Sequence, residues 1–143
     1  MATYDLTLGG SLATPGTQPP AAVWIEGVVD FSKVNSGAGA AQNDVVQVVN
    51  IPANTFVLGV VVFVTKASTN AGTVNVGDGV AATRYLTGTA INAVSDAAGT
   101  TYATTNFFYT NADTIDIVQS AVLTVTTGVV KVMVLAAHAV PSV

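Results

Sequence analysis

The chain has no cysteine, one histidine, one tryptophan and only four cationic residues among its 143 positions. Each scarcity excludes something. Without cysteine there is neither a disulfide framework nor a thiolate metal site, so stability must come from packing and association. Lys33, Lys66, Arg84 and Lys131 are dispersed along the sequence and cannot form the clustered basic surface that holds a phosphate backbone. Nucleic acid is therefore not an expected partner. A lone histidine, His138, rules out a multi-histidine metal site within one chain, and any Ser-His-Asp arrangement would have to use it.

Charge of both signs is scarce. Charged residues make up 8% of the chain, against about 25% in an ordinary globular domain. Area–mass scaling gives roughly 7,000 Å² of folded surface for 14.4 kDa, hence about 570 Å² per charge instead of about 190 Å². Such a surface has little like-charge repulsion to resist association, so much of it is expected to be covered by neighbouring chains. Homo-oligomerisation is the first inference.

What is present is a supply of short apolar runs rich in valine and threonine, with half of all residues hydrophobic. Residues 1–20 differ from the rest. Gly9-Gly10, Pro15-Gly16 and Pro19-Pro20 exclude a long helix there, which leaves an extended arm or a disordered tail. Residues 21–143 form the domain. Val23, Ile25, Val29 and Phe31 alternate with Trp24, Glu26 and Asp30, the period of a strand with one polar face. Residues 44–51 form a second strand. Residues 55–65 form a third, and its centre from Phe56 to Val64 is apolar on both faces, so both faces should be buried. Short strands follow at residues 73–76, from Arg84, at 101–110 and at 114–118, with a turn at Gly77-Asp78-Gly79 and a loop over 87–100. Two last strands are expected at residues 121–126 and 129–136.

Residues 121–140 are apolar enough to be weighed as a membrane span. Lys131 near the centre and the Thr126-Thr127-Gly128 break favour two strands instead. The N-terminal segment has no basic region followed by an apolar stretch, so no secretory signal is indicated. Eight or nine closely spaced strands without an amphipathic helix predict an all-β fold, an antiparallel β-sandwich of jelly-roll type with an extended N-terminal arm.

Catalytic groupings are hard to assemble. Glu26 and Asp30 share a strand face but stand roughly 13 Å apart, beyond the about 5–9.5 Å of glycosidase carboxylates. Asp113 reads as a turn residue and Asp116 as exposed between Ile115 and Ile117. No catalytic residue, cofactor or metal site is assigned. Trp24, a large aromatic on a polar face, is either an interface anchor or is covered within its own chain. Phe107 and Phe108 point to opposite faces, so at least one should leave the primary core. The candidate interface residues are Tyr4, Leu6, Leu8, Leu12, Trp24, Phe56, Phe63 and Phe108.

Several phrases carry a resemblance. They are Ile51-Pro52-Ala53-Asn54-Thr55-Phe56-Val57-Leu58-Gly59-Val60, Thr73-Val74-Asn75-Val76-Gly77-Asp78-Gly79 with Arg84-Tyr85-Leu86, Tyr109-Thr110-Asn111-Ala112-Asp113-Thr114-Ile115-Asp116-Ile117 and Gly128-Val129-Val130-Lys131-Val132. This stretch resembles the small structural proteins of tailed bacteriophages, especially capsid decoration or cement proteins. The resemblance implies a trimeric jelly roll on the virion surface that ties major capsid protein subunits together after synthesis in the host cytoplasm. It transfers no particular binding residues, and the arm lies outside it. Rival readings are another virion part (a head fibre, tail component or host-surface adhesin) and a jelly-roll carbohydrate-binding module.

Overall fold

The structure, a computed structural model, describes residues 1, 3–5, 22–94, 101–103 and 105–138. Its strands are β1 (Thr3–Asp5), β2 (Ala22–Asp30), β3 (Val45–Ile51), β4 (Thr55–Lys66), β5 (Thr73–Asp78), β6 (Leu86–Ala90), β7 (Thr101–Ala103), β8 (Phe107–Tyr109), β9 (Asp113–Gln119) and β10 (Val129–His138). They form two sheets. One has the order β1-β3-β9-β5-β6; the other is β2-β10-β4-β7, with β8 also paired to β4.

The pairings are nested in sequence: β2 with β10, β3 with β9, β4 with β7 and β8, and β5 with β6, all antiparallel. The chain is thus one long hairpin rolled so that its successive pairs alternate between sheets, which is the double Greek key of a jelly roll. The all-β sandwich predicted from the sequence is the fold observed. β1 alone stands outside the nest, as a parallel strand on the free edge of β3.

Period-two alternation builds the core. Val29, Val57, Val62 and Val132 from one sheet meet Val46, Ile115 and Ile117 from the other, all at 0–1% exposure. Burying each such side chain favours folding by about 1.5–3 kcal/mol. Two glycines mark close approaches. A Cβ on Gly27 would lie 2.3 Å from the Val48 carbonyl oxygen, where β2 crosses β3. One on Gly77 would lie 2.0 Å from the Ala81 carbonyl oxygen, where the β5–β6 loop folds back over its own strand.

Four local expectations are corrected. Residues 121–126 are not a strand: β9 runs on to Gln119, and the following loop contributes a single bridge, Val125 to Ala40, with two 2.9 Å backbone hydrogen bonds. Residues 87–90 are strand rather than loop, because β6 is an edge strand held by backbone pairing to β5 and needs no apolar alternation. Gly77 and Asp78 extend β5 instead of forming the turn, since both pair with β9. Asp116 is not exposed but 2% accessible, on the outer side of its sheet. The same loop that crosses Gly77 lies beside it, because Gly77 is its cross-strand partner. The strands among the described residues number ten, because the expected strand at 101–110 divides and β1 joins the edge. No helix among the described residues is long and apolar enough to cross a membrane.

Candidate functional site

The outward side of the β2-β10-β4-β8 sheet carries the largest side chains that the fold leaves partly exposed. Register places them in rows. Trp24, Leu135 and Gly59 lie side by side; next come Glu26, Met133 and Val61, then Val28, Lys131 and Phe63. A fourth row sets Ala22 beside Ala137, Phe56 and Phe108. Trp24 is 51% exposed, Phe56 39% and Phe108 37%, while Phe63, Met133 and Leu135 are half-buried. Phe56 and Phe108 stack at 5.8 Å between ring centroids, tilted by 42°. This is within the range of favourable aromatic pairs.

Four of the sequence-predicted interface residues, Trp24, Phe56, Phe63 and Phe108, therefore share one face. Sequence reasoning missed Val28, Leu58, Val61, Met133 and Leu135, which complete it. The signal was available in the odd positions of β10, where Met133 and Leu135 follow Lys131 at period two. β4 is the strand whose centre is apolar on both sides: Val57, Val60, Val62 and Val64 enter the core, while Val61 and Phe63 face outward. Leu58 sits at a bulge between the pairs Leu135–Gly59 and Ala136–Val57. Within these four rows, among the described residues, one ion pair interrupts the face, Lys131 to Glu26 at 2.5 Å; at the margin the outward Asp30 pairs with Lys33 at 3.5 Å.

Tyr4 lies elsewhere. It is half-buried on β1, opposite Val46, and packs against the core at the edge of the other sheet. Leu6, Leu8 and Leu12 lie outside the described residues. Phe107 turns inward as its neighbour turns outward, which meets the expectation that the pair divides between faces.

A buried polar cluster fixes the strand that carries Phe108. Asp78, 4% exposed at the end of β5, accepts hydrogen bonds from the Arg84 guanidinium, the Tyr109 hydroxyl (2.8 Å) and the backbone N–H groups of Val80 (3.1 Å) and Ala81 (2.7 Å). Tyr85 and Tyr109 hydroxyls meet at 2.8 Å, and the Arg84 guanidinium lies 3.7 Å from the centre of the Phe107 ring. Burial alone would raise the Asp78 pKa, but the donors from Arg84, Ala81, Tyr109 and Val80 outweigh it and hold the carboxyl below its ordinary value. Burial pushes Tyr85 up to about 12 and Tyr109 further. Both Asp78 oxygens are engaged and both phenols stay protonated at neutral pH. The cluster acts as a clamp between the two sheets and offers neither a free base nor a nucleophile.

The opposite sheet presents a different outer surface, with Gln47, Asn50, Thr73, Asn75 and Thr114 around the buried Asp116 and one apolar pair, Val45 and Val118. Burial raises the Asp116 carboxyl to about 6, against the hydroxyl of Thr114, which donates to it at 2.6 Å and lowers it. Among the described residues no group of three or more histidine, cysteine or acidic side chains is placed to hold a metal ion.

Comparison with protein-family models and with curated protein sequences gives no match. Solved structures do match. A chain of the cyanophage Pam1 capsid asymmetric unit is 27% identical, with a TM-score of 0.65 over 92% of this chain and 95% of that one. A chain of the acid-stable capsid of Helicobacter pylori bacteriophage KHP30 is 19% identical, with a TM-score of 0.60 over 85% and 89%. One from the capsid of Ralstonia phage GP4 is 12% identical, with a TM-score of 0.57 over 90% and 92%. The last two share the fold; the first shares fold and a measurable fraction of sequence.

Proposed function

We propose that the chain is a non-enzymatic structural protein of a tailed-phage virion, which trimerises and decorates the capsid, bridging and stabilising its subunits. The observation that carries this reading is the gathering of Trp24, Phe56, Phe63 and Phe108 on the outward side of one sheet, in a jelly roll that resembles a phage-capsid chain. A second copy of the chain is the occupant best suited to that face. It carries little charge, its central ion pair is internally balanced, and a partner of the same low-charge composition leaves little beyond that pair to be desolvated. Three strands by four rows, with β8 joining at one end, cover roughly 300–400 Å² in plan, enough for the apolar centre of an interface that takes about 800 Å² from each partner.

The mechanism is mechanical. Copies bury their apolar faces on one another, and residues 2–20 tie neighbouring subunits together. Anything that binds the assembled shell but not its separated parts stabilises the shell by mass action. Three copies, the major capsid protein as partner, and a position on the capsid surface are what the resemblance to decoration proteins adds.

Light scattering at micromolar concentration should give about 43 kDa, three times the 14.4 kDa chain. Purified protein should also bind shells that lack it, as added density in cryo-electron microscopy. A monomer that stays monomeric at high concentration, or shells that remain bare, would refute the reading. Removing residues 2–20 should leave a folded domain that no longer decorates; normal decoration by the truncated protein would remove the arm from the mechanism.

A further inference from the structure

We infer that β1 is an exchanged strand, which seats on β3 of a neighbouring copy of this chain and so links the copies of the oligomer. The jelly roll is complete without it, since all four nested pairings lie between β2 and β10. β1 adds only three residue pairs, Thr3 to Val45, Tyr4 to Val46 and Asp5 to Gln47, and it adds them in parallel on an edge that would otherwise be open. Addition of an extended segment to a free sheet edge is a general mode of recognition between chains. Tyr4 supplies the side-chain anchor by packing against the core beside Val46.

The tether is the second observation. Residues 6–21 join β1 to β2, sixteen residues with a reach of about 55 Å when extended. The path within one chain is far shorter. Asp5 sits beside Gln47, the next residue Val48 touches Gly27, and Gly27 is five residues from Ala22. Those steps sum to at most about 30 Å. The connection is nearly twice as long as the same-chain seat demands. Its full reach exceeds the diameter of an adjacent domain, about 37 Å at this chain length. Contacts at β3 are identical in either seat, and loop-closure cost rises only slowly with span. Once copies stand side by side the exchanged seat loses nothing locally and adds a covalently tethered link between them.

The inference rests on the homo-oligomer of the preceding reading, and the absence of cysteine makes it directly testable. In the double variant Thr3→Cys/Val45→Cys the only two thiols stand at cross-strand partner positions, both accessible. The purified oligomer would be diluted, oxidised and run on a non-reducing gel, with each single variant as control. Exchange predicts covalent multimers up to the full oligomer, absent from both single variants beyond a trace of dimer. A trimer by light scattering that yields only chain-sized, internally bridged product overturns the exchange and leaves the oligomer standing. Free thiols in a trimer overturn it as well. A protein monomeric by scattering overturns both readings together.

Discussion

The two sheets obey the same alternation on their inner sides and part company on their outer ones. Outside β2, β10, β4 and β8 stand Trp24, Leu135, Met133, Phe63 and Phe108; outside β3, β9 and β5 stand Gln47, Asn50, Thr73, Asn75 and Thr114, with one apolar pair, Val45 and Val118, among them. Both sets are carried by the same backbone geometry, so the contrast is not a requirement of folding. A sandwich needs one apolar side per sheet. The second apolar side on one sheet alone is a cost in solubility that is offset only if another surface covers it. The polar sheet meets its solvent with amides and hydroxyls instead of charges, which accounts for how a chain with 8% charged residues still has a wet side.

The largest effect should come from placing charge on the apolar side. Trp24→Asp with Phe63→Asp puts two carboxylates on the proposed contact, where truncation of a single anchor costs about 2 kcal/mol or more. Self-association should weaken by about three orders of magnitude or more, measured by sedimentation. The fold should survive, because neither side chain enters the core. Gln47→Asp with Asn75→Asp on the polar side is the matched control and should leave the mass unchanged. Equal loss from both pairs would erase the distinction between the faces.

Next in size is the clamp that joins the sheets. Asp78→Ala leaves Arg84, the Tyr109 hydroxyl and two backbone N–H groups without their acceptor. Removing one partner of a buried ion pair costs about 3–5 kcal/mol, so a large fall in melting temperature is expected. The loss should reach the apolar face as well, because Tyr109 follows Phe108 on β8. A variant that melts at the wild-type temperature would show the clamp to be dispensable.

Much of this was legible beforehand, for identifiable reasons. Ile25, Val29 and Phe31 alternate with Trp24 and Glu26, so β2 announces both its core side and its exposed tryptophan. β4, apolar from Phe56 to Val64, announces two faces needing cover, and the sheet pairing supplies one while leaving the other. What alternation could not reveal are features decided by contacts distant in sequence. Asp116 sits at an outward position, as its spacing says, yet the loop after β5 covers that position; Gly77 is the one clue, and its meaning depends on knowing what crosses it. The apolar letters of Ala121, Val122, Leu123 and Val125 resemble a strand, but only Val125 is buried, bridging to Ala40 across the end of the sandwich. The four-member clamp joins residues from β5, the loop beyond it and β8, a grouping that no local motif encodes.

The buried Asp116 gives the polar sheet a pH signature of its own. Its pKa is raised to about 6 from 3.8, so the folded state favours the protonated form and stability falls as pH rises from about 4 through 6. A shift of two units corresponds to about 3 kcal/mol. Asp78 and Asp30 act in the opposite sense: both are lowered, so their contribution is present above the ordinary carboxylate range and is lost as the pH falls below about 4. Asp116→Asn keeps the acceptor for Thr114 and removes the titration. It should raise the melting temperature at pH 7, leave it unchanged near pH 4, and not alter association. Destabilisation at pH 7 would mean that the ionised carboxylate is stabilised by its neighbours in the folded protein, the opposite of a raised pKa.

The smallest effect is the most selective probe of the comparison. Glu26 and Lys131 form the ion pair inside the apolar rows, at 57% and 31% side-chain exposure. In a free monomer such a pair contributes about 0–1 kcal/mol. If the face is covered by a second copy, the pair becomes buried, and apolar replacements of similar volume are then neutral or favourable. Glu26→Leu with Lys131→Met should therefore change the melting temperature little while tightening self-association by a few fold. The single change Glu26→Leu should weaken association, because it leaves Lys131 without a counterion inside the contact. Equal association constants for the wild type, the single and the double variant would place this pair in water, outside the interface, and restrict the covered area to the rows around Trp24 and Phe56.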